Sequence, residues 1–448
     1  MGATDRLPGQ VKALIMARAV NQLGGFSLAF LTVLLTRSFG AGLTAAGIVS
    51  AAFGLATIPS RLAGGRLADR WGRRRTIVAG LVGLAVAQLG LAAAPDLLAA
   101  TLCAVAMGLA FELFEPPSQA LIADAVPPGG RAAAFGLLTT AMAVGSLAAG
   151  VIADVVGRWS LRWLFVVDAG TGLVCAVIVL LALAPDHRKP EERQAEPVSG
   201  QADADRALPT AQPTVQPTAQ PTAQPTVQPT APVAAQPISP WRDRTLLIVT
   251  ASGTVFALVS MFMVSLLPLS LGAVGLNPAN AGLIMAASTG TLVLARPVLR
   301  NRRLATLSHP ATFVIGYLMM AAGFGGYAIA HTLPTLLVPT ALYSLGNLLV
   351  MGRSFAMVSE LAPVQASARY LAVYGLSWGV ATLLAPLVGT WLLGLSGPGL
   401  LWGVSAAVCG CMAIAQPRVV RRARLPHQDL GVIHSTKPVA ERYDAVSI

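Results

Sequence analysis

Long uncharged runs recur along almost the whole chain. They cover residues 77–94, 97–111, 132–153, 169–184, 246–295, 311–330 and 371–415, with a further run over 13–36 broken by Arg18. About 18 or more apolar residues in a row suffice to cross the hydrocarbon of a bilayer as a helix, and several of these runs hold two such lengths with a turn between. Lipid offers no hydrogen-bond partners, so a crossing segment must be a helix or part of a closed barrel. No period-two alternation of a barrel is present. The sequence therefore predicts an all-α, multi-pass membrane protein. Its expected spans are 12–37, 44–64, 76–94, 98–123, 132–156 and 161–184, then 245–271, 278–299, 310–331, 335–361, 368–394 and 398–416. That is six plus six.

Composition excludes several classes. Of 448 residues, 55% are hydrophobic and 11% charged, against about 25% charged in soluble proteins. The net charge of +12 does not read as nucleic-acid binding, because the basic residues flank apolar runs and are not interleaved with stacking aromatics. Cys103, Cys175, Cys409 and Cys411 all lie in apolar runs, without metal-ligand spacing. No nucleophile–histidine–acid set and no phosphate-binding glycine loop is present, and only His331 of the five histidines touches an expected span. No enzyme activity, metal or cofactor is expected.

The two groups of six are separated by a polar, proline-rich stretch containing AQPTVQPTAQPTAQPTVQPTA at 211–231. Proline at every fourth residue forbids a helix and nothing there can build a core, so a disordered, polyproline-II-leaning spacer is expected. The domain plan is a helical bundle over 1–184, a linker over 185–244, a second bundle over 245–416 and a basic tail over 417–448. Nearly all arginines fall at alternate ends of the spans. By the positive-inside rule this places both termini and the linker in the cytoplasm of a plasma-membrane protein, with Arg37, Arg158 and Arg162 at the outer face.

Charge at bilayer depth is costly, about 2.5–3.5 kcal/mol on insertion scales, and marks a functional candidate. Arg18, Glu112, Glu115, Asp168 and Arg353 are such residues, with Asp154 and Glu360 nearer span ends. At 1.5 Å per residue, Glu112 lies about 2 Å past the midpoint of its span. Glu115, three residues on, shares its helical face. Pro116 and Pro117 follow, and Pro116 frees the Glu112 carbonyl. Two close carboxylates in a low dielectric do not both ionise easily, which suits groups that bind and release protons. The plainer alternative is static pairing with Arg18 or Arg353, and for Asp168 pairing is the favoured reading.

One short loop concentrates the charge. Residues 64–80 read GGRLADRWGRRRTIVAG, with five arginines and Asp69 between two apolar runs. Any mixture of lysine and arginine would anchor a loop, but that role leaves Asp69, Gly65 and Gly72 unexplained. The stretch Gly65-Arg66-Leu67-Ala68-Asp69-Arg70-Trp71-Gly72-Arg73-Arg74-Arg75 resembles the signature loop of the major facilitator superfamily, Gly-x-Leu-Ala-Asp-Arg-x-Gly-Arg-Arg/Lys, between its second and third spans. The corresponding place in the second half, RPVLRNRR at 296–303, keeps only the charge.

That resemblance implies two six-helix, pseudo-symmetric bundles that rock about a central site. It implies that the loop latches the cytoplasmic side: Asp69 against the start of the eleventh helix near 366–369, Arg70 or Arg73 against Asp124, with Arg74 alongside and Gly65 and Gly72 allowing close approach. It also implies that helices 1, 4, 7 and 10 line the cavity, bringing in Asn21, Gln22, Phe26, Phe30, Glu112, Met261, Phe262, Met263 and Asn347. So few fixed polar groups point to hydrophobic or cationic compounds rather than a sugar. Pro116 to Leu138 is similar to proton-linked drug exporters of the superfamily. Against their pattern, Ala104 stands where an arginine is usual, and 149–154 (AGVIAD) replaces Gly-Pro-x-x-Gly-Gly. The expected function is proton-coupled efflux by a monomer that has a small molecule, protons and the bilayer as partners. An importer of a small metabolite, or a non-transporting receptor or scaffold, remains the alternative.

Overall fold

The computed structural model describes residues 7–183, 240–299, 308–362 and 367–428. The proline-rich stretch up to residue 239, the second-half basic loop from 300, and the tail beyond 428 lie outside the described residues.

Every long element is a helix. In the first half these are α1 (Gly9–Gln22), α2 (Ser27–Ser38), α3 (Leu43–Trp71), α4 (Arg73–Ala93), α5 (Leu97–Phe111), α6 (Glu115–Ala125), α7 (Pro128–Trp159) and α8 (Leu161–Ala182). In the second half they are α9 (Arg244–Ser265), α10 (Leu267–Ala273), α11 (Asn280–Leu299), α12 (His309–Ile329), α13 (Leu337–Leu361) and α14 (Ser367–Gln428). Polar side chains close several exposed N-terminal N–H groups: Asp96 accepts from Ala99, Ser160 from Arg162, Ser308 from Ala311, and Asp243 from both Thr245 and Leu246. Asp243 also accepts from the Tyr370 hydroxyl at 3.0 Å, tying α14 to the start of α9. α14 has two arms, because Ser396 and Gly397 leave helical geometry and Gly397 takes φ 75°, a conformation glycine adopts freely.

Among the described residues, nine helices are long and apolar enough to cross a membrane, and 28–38 and 280–295 are shorter apolar helices. Exposed tryptophans sit at helix ends: Trp71 and Trp241 at one face, Trp159, Trp163 and Trp391 at the other. Amphipathic rings of this kind are enriched at the two membrane–water interfaces.

Three expected spans are broken rather than continuous. The stretch 23–26 separates α1 from α2, 112–114 separates α5 from α6, and Leu266 separates α9 from α10. Pro116, Pro117 and Pro268 explain two of these breaks, since each removes the N–H that the carbonyl four residues back requires. The expectation that Glu112 and Glu115 ride one helical face is therefore corrected: Glu112 ends α5 and Glu115 begins α6.

The halves meet along two seams, α3 against the first arm of α14 and α7 against α11. Both seams need glycine. A Cβ at Gly54 would stand 2.8 Å from the Thr382 carbonyl oxygen, and one at Gly150 2.8 Å from Ala286 Cβ. These contacts lie toward the face carrying the ends of α2 and α7. There Arg37 also donates to the Gly272 carbonyl, at 3.1 Å. Toward the face carrying the 65–75 loop, Gly65, Gly136 and Gly375 would meet nothing within 4 Å. Among the described residues, the close approaches between the halves gather toward the first of these faces.

Candidate functional site

The cavity between the halves has two adjoining lobes. One, of about 300 Å³, is lined by Gln22, Gly25, Phe26, Ala29, Phe30, Ser146, Ala149, Gly150, Ala153, Met263, Val264, Gly282, Met285, Ser288, Thr289, Tyr343 and Asn347. The other, of about 350 Å³, is lined by Arg18, Asn21, Gln22, Gly25, Leu28, Ala29, Arg61, Leu84, Phe111, Glu112, Phe114, Glu115, Asp168, Val264 and Met285. Gln22, Gly25, Ala29, Val264 and Met285 border both, so the lobes share one wall.

The second lobe holds the charge. Arg18 is buried in α1 and pairs with Glu115 at the start of α6, while the Phe114 ring lies 4.9 Å from its guanidinium carbon. Gln119 donates to the other Glu115 oxygen at 2.9 Å. Glu112 faces Arg61 of α3 with Nε 3.7 Å from Oε2, beyond hydrogen-bond reach. Asp168 is buried on α8. Beside it α1 ends, and a Cβ at Gly24 would stand 2.6 Å from Asp168 Cα. Two buried polar atoms lack a hydrogen-bond partner here, Arg18 Nη1 and Asn21 Oδ1.

The first lobe carries no charged side chain and mixes apolar walls with hydroxyl and amide groups. Gln22 donates to Ser146 Oγ at 3.0 Å, and Ser260 donates to Asn347 Oδ1 at 2.9 Å. Ser288 and Ser344 hydroxyls lie 2.6 Å apart.

A family model described as Major Facilitator Superfamily matches residues 14–300 and, again, 249–443. The chain belongs to that superfamily. It is similar to Multidrug resistance protein MdtH of Aeromonas hydrophila, 34% identical over 150 residues, which is 32% of this chain and 37% of that protein. It is also similar to a Na(+), Li(+), K(+)/H(+) antiporter of Planococcus maritimus, 23% identical over 381 residues, covering 80% of this chain and 83% of the relative. Among solved structures, the POT family transporter PepTSo superposes with a TM-score of 0.70 at 14% identity, covering 94% of this chain and 99% of that one. This last likeness is one of fold.

In this superfamily member the signature loop joins α3 to α4. Gly72 takes φ 91° there and both ends one helix and starts the next. Arg73 Nη2 lies 2.6 Å from Asp124 Oδ2, near the end of α6, and Arg74 donates to the Leu180 carbonyl of α8. Asp69 and Arg70 are exposed. The partner segment expected for Asp69 begins at residues outside the described ones.

Of the other candidates, Asn21, Gln22, Asp168 and Asn347 line the lobes. Arg353 is half-buried on α13 and lines neither. Of Met261, Phe262 and Met263, all expected at the cavity, Met263 lines the first lobe, while Phe262 is buried 3.4 Å from where a Gly389 Cβ would stand and borders neither lobe. The sequence reading missed Arg61. It is an arginine inside an expected span, so the depth rule that singled out Arg18 would have found it. The hydroxyl rim of Ser146, Ser288, Thr289 and Tyr343 carries no comparable signal, since serine and threonine are ordinary in membrane helices.

Proposed function

We propose that the chain is a secondary transporter that exports small lipophilic or cationic compounds in exchange for protons, by rocking two six-helix bundles, 1–184 and 245–416, about this cavity. The single observation that carries the reading is the shared wall. An uncharged lobe with adaptable methionines and aromatics, fit for a lipophilic body, adjoins a lobe of carboxylates and guanidinium groups able to exchange a proton. The name of the MdtH relative supports efflux of drugs, and that of the antiporter relative supports coupling to protons. Glu112 is the proposed proton carrier, because its partner stands off at 3.7 Å. Arg18 and Glu115 are its paired neighbours, Asp168 and Arg353 secondary charges, and Asn21, Gln22 and Asn347 substrate contacts.

The twelve passes, the cytoplasmic placement of the loop face and the location in the plasma membrane belong to the same proposal. On it, this is the inward-facing state, and Asp69, Arg70, Gly72, Arg73 and Arg74 latch the loop face in the other. The test is flux in proteoliposomes under an imposed pH gradient, with ethidium as the fluorescent lipophilic cation. Wild type is expected to move ethidium against its own gradient at the expense of the proton gradient. Glu112→Gln is expected to lose that coupling while still binding the dye. Full gradient-driven flux in Glu112→Gln would overturn the assignment.

A further inference from the structure

The break between α5 and α6 is held from outside. The Glu112 N–H, besides facing the Ala110 carbonyl two residues back, donates to Ser60 Oγ of α3 at 3.1 Å. Ser60 is fully buried. One turn along α3, Gly64 leaves room for the broken strand of backbone, where an added Cβ would stand 3.2 Å from Leu113 Cα and closer still to its carbonyl. From α4, Gly80 does the same, with an added Cβ 3.1 Å from the Phe114 nitrogen. Pro116 and Pro117 explain why the helix stops. They do not explain where its two ends are fixed, whereas α3 and α4 do.

Resting on the transport reading above, we propose that Ser60 is a positioning residue for the cavity acids. Its hydroxyl fixes the backbone at Glu112. That sets the separation of the Glu112 carboxylate from Arg61, the residue next to Ser60, and, across the three-residue break, the angle at which Glu115 meets Arg18. The charged groups facing Glu112 are Arg61 on α3, Glu115 on α6 and Arg18 on α1, and Asp168 of α8 lines the same lobe. Coulomb energies at such separations vary steeply with distance in a low dielectric. A small shift of the Glu112 backbone therefore changes its interaction with every one of these groups at once, and with it the proton affinity of the site.

The test uses the full chain, purified, and reads the protonated-carboxyl infrared band that Glu112→Gln removes, titrated with pH in wild type, Ser60→Ala, Ser60→Cys and Ser60→Thr. A group that only packs changes the melting temperature and leaves the midpoint of that band in place. A positioning role moves the midpoint in Ser60→Ala, moves it less in Ser60→Cys, whose sulfur is a weak acceptor, and restores it in Ser60→Thr. Gradient-driven ethidium flux is expected to fall in Ser60→Ala by on the order of tenfold or more, as for other small misplacements of reacting groups. Should Ser60→Ala not survive purification, Ser60→Cys carries the comparison. A wild-type midpoint in the surviving variants overturns the positioning role and leaves the transport reading standing. If Glu112→Gln removes no band and keeps full flux, it is the transport assignment of Glu112 that falls.

Discussion

At the residue scale, the two acids of the broken span are held unequally, and the difference is measurable. Glu115 neutralises a buried guanidinium, so Glu115→Ala would leave Arg18 with an unpaired buried charge. Breaking such a pair costs about 3–5 kcal/mol. Glu112 faces a half-exposed Arg61 across 3.7 Å, a type of pair worth about 0–1 kcal/mol. Thermal unfolding in detergent is therefore expected to drop markedly for Glu115→Ala and to stay near wild type for Glu112→Gln. Equal losses would mean that the two acids are held alike. The sequence made Arg18, Glu112, Glu115 and Asp168 legible because charge at depth is rare enough to stand out. It did not say who pairs with whom, since pairing depends on how α1, α3, α6 and α8 are rotated against one another.

At the element scale, α6 is a short rod with an ion pair at each end, Glu115 to Arg18 of α1 and Asp124 to Arg73 of the loop. Movement at the cavity end is transmitted to the loop end if the rod is rigid. Exchanging the charges tests this. Arg73→Asp and Asp124→Arg are each expected to lower flux several-fold, and the double variant to recover most of it; no recovery would show that the two side chains act independently. The breaks bounding such rods were readable in part. Pro116 and Pro117 announce one and Pro268 another, while the break between α1 and α2 falls at Gly24 and Gly25, and a like pair, Gly64 and Gly65, sits inside the intact α3. The face that α9 turns to the cavity was not readable. That helix is apolar all round, so its hydrophobic period names no side, and the reading took in Met261, Phe262 and Met263 together where Met263 alone of the three lines a lobe.

At the scale of the whole molecule, the class of fold was legible because the bilayer dictates run length and helicity together. The seams between the halves were not, because they depend on which glycines of one half meet the other. The proposed orientation has a direct check. A protease added to right-side-out cells should leave the Gln-Pro-Thr stretch uncut and should cleave it in inside-out vesicles; cleavage from outside would invert every assignment of the faces. The pairing inside the cavity also bears on how the molecule responds to membrane voltage. An electric field works only on net displaced charge, about 2.3 kcal/mol per elementary charge per 100 mV. Arg18, Arg61, Glu112 and Glu115 all belong to the first half and form opposite-sign pairs. On the proposed rocking mechanism each pair travels with that half as a dipole, and the field gains almost no purchase on it. On the proposed mechanism, voltage sensitivity then enters with the cargo, a proton or an ammonium group whose charge the two pairs do not cancel, and with Asp168 of the same lobe, which lies outside both pairs.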